Sequence, residues 1–138
     1  MNLVVDTSVW SLVLRRQRVD AENPFVRAFH AHVNAGHGLF LAGPVLQELL
    51  DGVRSEPQFS RLLAALDAFP LVPLTRQTFV LAARMRTDCR RKGVQAGSVD
   101  FLIAAACVEA GFPLLTADED FARIARCTDL ILAPVQAD

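Results

Sequence analysis

Five short apolar runs, separated by segments with helical periodicity, set the narrowest limit on how this chain can fold. Leu3-Val4-Val5, Leu39-Phe40-Leu41, Leu71-Val72, Pro113-Leu114-Leu115 and Leu130-Ile131-Leu132 are too short for helices and lack polar alternation. Strands covered on both faces read this way. The intervening segments read as helices: one through Val9, Trp10, Leu12 and Val13, and one from near Pro24 to before Gly36. A third opens at Pro44, which suits a first helical turn because its missing N–H costs nothing there; its apolar face is Val45, Leu46, Leu49, Leu50 and Val53. Further helices run from about Gln58 to Phe69 and from Arg76 to about Lys92. In the latter Phe79, Ala82, Met85 and Cys89 form the apolar face opposite Arg84, Asp88 and Arg91, and Gly93 ends it. From Ser98 to Ala110 a polar start gives way to residues apolar all round, as in a central buried helix. Strands alternating with helices in this order imply an α/β sandwich on a parallel sheet. A length of 138 residues fits one domain, spanning 1–138.

Hydrophobic residues make up 52% of the chain, which implies either apolar surface covered by a partner or second copy, or a sheet covered on both faces. The longest apolar run, Phe101 to Val108, falls well short of a membrane span, and the first residues lack the pattern of a signal peptide. Cys89, Cys107 and Cys127 are odd in number and have no C-x-x-C spacing. Reduced thiols and a cytoplasmic location are therefore expected.

The net charge of −1 describes no basic nucleic-acid binder as a whole. The basic residues nevertheless gather at Arg15-Arg16-Gln17-Arg18 and at Arg84, Arg86, Arg90, Arg91 and Lys92. Such clusters either hold phosphates beside an acidic centre or form solvated helix faces. Arg15, Arg16, Arg90, Arg91 and Lys92 are the candidate RNA-binding residues.

Ligands of open parallel sheets bind beyond the carboxyl ends of the strands, and acids recur at those places. Asp6 ends the first run, Glu48 follows the second, Asp100 opens the buried helix, and Asp118 and Asp120 follow the fourth run. Local explanations compete. Asp6-Thr7-Ser8 can cap a helix, Ser98 and Asp100 can do the same, and Thr116 with Glu119 fits a capping box. Glu48 is harder to explain locally, because the residues three and four places away, Pro44, Val45, Asp51 and Gly52, offer no basic partner. Carboxylates crowded at one sheet edge repel each other, and a hard divalent ion such as Mg²⁺, held by a few carboxylates and several waters, relieves that repulsion. Such an ion polarises a phosphodiester and acidifies a water.

Other chemistries lack their residues. His30, His32 and His37 do not share a helix face and read as solvated or loop histidines. Neither a G-x-S-x-G elbow nor a phosphate-binding glycine motif occurs.

Four stretches, in order, resemble the motifs of PIN domains: Val4-Val5-Asp6-Thr7-Ser8-Val9-Trp10, Pro44-Val45-Leu46-Gln47-Glu48-Leu49, Gly97-Ser98-Val99-Asp100-Phe101-Leu102-Ile103-Ala104-Ala105, and Leu114-Leu115-Thr116-Ala117-Asp118-Glu119-Asp120-Phe121. The resemblance covers essentially the whole chain. It implies a three-layer α/β/α sandwich with a central parallel sheet, and Mg²⁺- or Mn²⁺-dependent cleavage of RNA by Asp6, Glu48, Asp100 and Asp118. By that analogy Asp6, Asp100 and Asp118 hold metal, while Glu48 helps to hold it or orients the attacking water. Thr7, Ser8 and Thr116 support the carboxylates. Asp118 is chosen over Asp120 because it follows Thr116 by two, which leaves Asp120 a supporting group. Single-domain PIN proteins of this size are most often VapC-like toxins, homodimers inhibited by an antitoxin protein. Two other readings compete: a catalytically silent PIN-like interaction protein, and a phospho-acceptor receiver. The latter lacks the acidic pair beside Asp6 and a lysine late in the chain.

Overall fold

The apolar runs do lie side by side, but only three of them pair as strands in this computed structural model, which describes residues 1–14 and 22–136. Strand β1 (Asn2–Val5) is central, flanked by β2 (Gly38–Phe40) and β3 (Leu114–Leu115), in the order β2-β1-β3. Both pairings are parallel, with Leu3 opposite Leu39 and Val5 opposite Leu115. The runs at 71–72 and 130–132, read as a short third strand and a candidate fifth, are reduced to single parallel bridges, Leu41 to Leu71 and Leu114 to Leu132. Each bridge is held by two backbone bonds, such as Val72 N–H to Leu41 O at 2.8 Å and Ala133 N–H to Leu114 O at 2.8 Å. Leu71 and Ile131 are 49% and 69% exposed, so these edges carry only one buried face and little to extend the pairing.

Seven helices are described: α1 (Thr7–Val13), α2 (Pro24–Asn34), α3 (Gly43–Asp51), α4 (Glu56–Leu66), α5 (Arg76–Arg91), α6 (Ser98–Ala110) and α7 (Glu119–Cys127). Their ends obey local chemistry. Asn23 caps α2 from its side chain, Pro44 lies in the first turn of α3, and Ser55 caps α4 two residues earlier than the expected start at Gln58. Gly93 and Gly111 take left-handed φ angles of +78° and +72° just beyond α5 and α6, a region L side chains resist. Helix α6 is buried along Phe101, Ile103 and the Ala104-Ala105-Ala106-Cys107 run, as its all-round apolarity requires. It packs chiefly against α5 and also meets α7.

Trp10 fixes the first turn. Its ring packs edge-on against Phe29 and Phe69, and its indole N–H donates to Val5 O at 3.0 Å. This ties α1 to the end of β1, next to Asp6. Phe79, expected on the apolar face of α5, is instead 54% exposed, since the buried face comprises Thr78, Ala82, Met85 and Cys89. His32 and His37 are not simply solvated: their Nδ1 atoms lie 2.8 Å apart, linking α2 to the start of β2. Among the described residues no helix is long and apolar enough to cross a membrane.

Candidate active site

Because β1 and β3 run parallel, their carboxyl ends open at the same edge, where Asp6 and Thr116 meet although 110 residues apart. The Asp6 backbone is pinned from both sides. Its N–H donates to Leu115 O at 3.0 Å, and its C=O accepts from Val9 and Trp10 at the start of α1. Its side chain is 5% exposed and is one of two buried polar residues in the described chain, the other being Thr78.

All the hydrogen bonds to this carboxylate converge on Oδ2. Ser8 Oγ donates at 2.8 Å, Thr116 Oγ1 at 2.9 Å, and the Ser8 amide at 3.4 Å. Asp6 therefore caps α1, as the local reading allowed, yet the cap is the longest of the three bonds and the hydroxyls are the shorter ones. Oδ1 takes no hydrogen bond among the described residues and remains available as a ligand atom. The hydroxyls are themselves held, since Ser8 Oγ accepts from the Ala117 amide at 2.9 Å and Thr116 Oγ1 from the Asp118 amide at 3.0 Å. Thr7, half-buried at the first position of α1, makes no side-chain hydrogen bond among the described residues.

The Thr116–Glu119 capping box does not form. Asp118 is the cap of α7, its Oδ1 accepting from the Asp120 amide at 2.9 Å, because Thr116 is drawn across the sheet to Asp6. Asp120 is engaged by Arg123 one turn on. The N-cap of α6 is Gly97, which has no side chain to accept a bond; Ser98 is not a cap but accepts from Arg86 Nη1 at 2.7 Å. Asp100, half-buried in the first turn of α6, has its proton affinity raised. Burial is the largest cause, and the nearby Asp118, Asp120 and Asp6 charges add to it, against a backbone hydrogen bond from Gly97. Beneath the site, burial raises the Cys107 thiol to about 12, with the Asp6 charge second, so it stays protonated.

Asp6, Asp100, Asp118 and Asp120 thus come from three elements into one field. Glu48 behaves differently. It is exposed on α3, has no hydrogen-bond or ion-pair partner among the described residues, and does not act on Asp100. No trio of His, Cys, Asp or Glu among the described residues forms a ready-made metal cage. The donor set still fits a hard cation. It offers only carboxylate and hydroxyl oxygens, and Mg²⁺ commonly takes one or two carboxylates and fills the rest of its shell with water.

Of the candidate basic residues, Arg15 and Arg16 lie outside the described residues. Arg91 faces Asp88 at 3.9 Å, while Arg90 and Lys92 are exposed. Arg86, part of the second basic cluster but not chosen among the candidate RNA-binding residues, is the basic side chain bonded to the first residue of α6. Its spacing of four from Arg90 was the available signal.

None of the curated proteins compared with the chain matches it. Among solved structures, VapBC2 from Rickettsia felis bound to a DNA fragment of its promoter matches with a TM-score of 0.77 and 19% identity, over 99% of this chain and 100% of that one. VapBC-1 from nontypeable Haemophilus influenzae gives 0.75 and 16%, over 96% and 97% of the two chains. VapBC-5 from Mycobacterium tuberculosis gives 0.65 and 21%, over 96% and 98%. These likenesses speak to the fold. A family model described as PIN domain matches residues 3–126, nearly the whole length, and with it the chain belongs to the PIN domain family.

Proposed function

We propose that this protein is a Mg²⁺- or Mn²⁺-dependent endoribonuclease, the VapC-like toxin of a toxin–antitoxin pair. The observation that carries the reading is the gathering of Asp6, Asp100 and Asp118 at the carboxyl edge of a parallel sheet, where burial first and the neighbouring carboxylates second hold the Asp100 proton more tightly. A cation is what such a group lacks. In this reading Asp6 Oδ1, Asp100 and Asp118 hold the ion, and Glu48 swings from α3 to complete the shell or orient the attacking water. When bound, the ion supplies Lewis-acid polarisation of the phosphodiester and lowers the pKa of a water. Ser8 and Thr116 hold Asp6 in place, since both donate to Oδ2 and leave Oδ1 without a hydrogen bond among the described residues. Asp120, engaged by Arg123, adds negative charge behind Asp118.

The similar solved structures are VapBC and FitAB complexes, and by extension an antitoxin protein is the expected partner of this chain, as an inhibitor. A homodimer in the cytoplasm completes the proposal. The exposed placement of Glu48 on α3, without a hydrogen-bond or ion-pair partner among the described residues, favours one rival, a silent PIN-like interaction protein that binds no metal.

One experiment separates them. Purified protein is incubated with total cellular RNA, with Mg²⁺ or with chelator, beside an Asp100→Asn variant, and new 5′ ends are mapped. Discrete cuts that require Mg²⁺ and vanish in the variant are expected. Absence of both cuts and calorimetric Mg²⁺ binding would overturn the catalytic reading in favour of the silent one.

A further inference from the structure

Resting on the ribonuclease reading, we infer that the face of α5 carrying Phe79, Arg86 and Arg90 is a track for single-stranded RNA leading to Asp100. Positions 79, 83, 86 and 90 recur at helical spacing and form one stripe. The stripe borders two adjoining depressions. One, of about 440 Å³, lies between α5 and α6 and takes in Phe79, Arg86, Arg90 and Ser98; the other, of about 420 Å³, takes in Arg86, Arg90 and Gln95. The chain that lines the second depression leads on to the acidic site. From Gln95 the chain runs through Ala96 and Gly97 into α6, and the Asp100 carboxylate lies back over Gly97. Arg86 is held at that junction by its bond to Ser98, two residues before Asp100.

Charge completes the argument. Asp88 lies beside Arg91 and Asp120 is engaged by Arg123, whereas Arg86 and Arg90 meet no carboxylate among the described residues. Two like charges one turn apart repel, and a phosphate between them reverses the sign of that interaction. Arg86 spends only part of its five-donor fork on Ser98, which leaves donors for a phosphate oxygen. Phe79, 54% exposed on the same stripe, supplies a ring face for a base, and stacking of that kind tolerates any sequence. A phosphodiester strand with unpaired bases is the ligand that uses all three side chains. Phosphates sit on Arg86 and Arg90, and the strand passes the junction at Ser98 towards the carboxylates.

The test measures binding of a fluorescein-labelled single-stranded RNA to the full chain in chelator, by anisotropy across a salt series. The Arg86→Ala/Arg90→Ala double variant is expected to bind about ten-fold or more weakly at low salt. Its log–log salt slope should be shallower by about 1.4, at about 0.7 per lost phosphate contact. Lysine at both positions should restore most of the slope, which excludes misfolding as the cause. Phe79→Ala should weaken binding without changing the slope. Arg84→Ala, on another face of α5, should change neither. Unchanged affinity and slope in the double variant, with Mg²⁺-dependent cuts still made by the wild type, would overturn the track and leave the ribonuclease reading standing. Failure of the wild type to bind or cut RNA would overturn both.

Discussion

At the scale of single residues, the site is organised around one oxygen. Asp6 Oδ2 accepts from Ser8 and Thr116, and the two hydroxyls are oriented by the Ala117 and Asp118 amides. Thr116→Val keeps the shape of the side chain and removes the donor that reaches Asp6 from just beyond β3. A hydrogen bond to a charged acceptor contributes roughly 1.5–3 kcal/mol, and the valine variant should unfold with a loss of about that size. If the proposed activity holds, it should also cut RNA about ten-fold more slowly, because groups that orient a metal ligand carry effects of that order. Thr116→Ser should recover most of both. Urea denaturation and a cleavage assay read the two, and a valine variant as stable as the wild type would mean that the Thr116 bond does not hold Asp6. Asp6 and Asp118 were legible in the sequence as acids after apolar runs, and Asp100 as an acid opening a buried helix. The Thr116–Asp6 bond was not, since a contact spanning 110 residues leaves no local pattern. The same contact explains why the apparent capping box from Thr116 to Glu119 fails.

At the scale of elements, helices were easier to read than strands. Periodicity over three or more turns marks a helix within a residue or two, as for Arg76–Arg91. An apolar run records burial and not pairing. The outer runs are therefore apolar yet bridge at one residue each, and Phe79 matches the helical period while facing outward. The join of α2 to β2 carries a pH response. Burial, then the His37 ring, then the amino terminus lower the His32 pKa below 6.5. A lowered folded value means that the unfolded chain takes up the proton first. Stability from this group is therefore present above about pH 6.5 and lost as pH falls through the folded value. Denaturant midpoints at about pH 7.5 and pH 5.5 should diverge in the wild type, and by less in His32→Gln, where that titration is gone. Equal divergence in the two proteins would show that the histidine pair contributes nothing to the acid sensitivity.

For the whole molecule, the fold keeps like charges together at one edge, and that arrangement opposes folding when no cation is bound. Burial and the neighbouring aspartates raise the Asp100 pKa. With the folded value raised, stability falls as pH rises through the window above 3.8 and stays reduced at neutral pH. Asp100→Asn removes the charge while keeping the shape, so in chelator it should melt above the wild type. The gain should be modest, about 0.5–1 kcal/mol, because the carboxylate is only half-buried and solvent screens it. Adding Mg²⁺ should reverse the order. A ligand that binds only the folded state adds about 2.7 kcal/mol at one hundred times its dissociation constant, which for a domain of this size is roughly 6–12 °C. Wild type should climb by that amount over a Mg²⁺ series, while Asp100→Asn, lacking one ligand, should stay nearly flat. A crossing of the two melting curves would tie the raised proton affinity of Asp100 to metal binding without reference to any RNA. Parallel curves, with the variant higher at every Mg²⁺ concentration, would mean that the acidic edge is a cost the fold carries for something other than a cation.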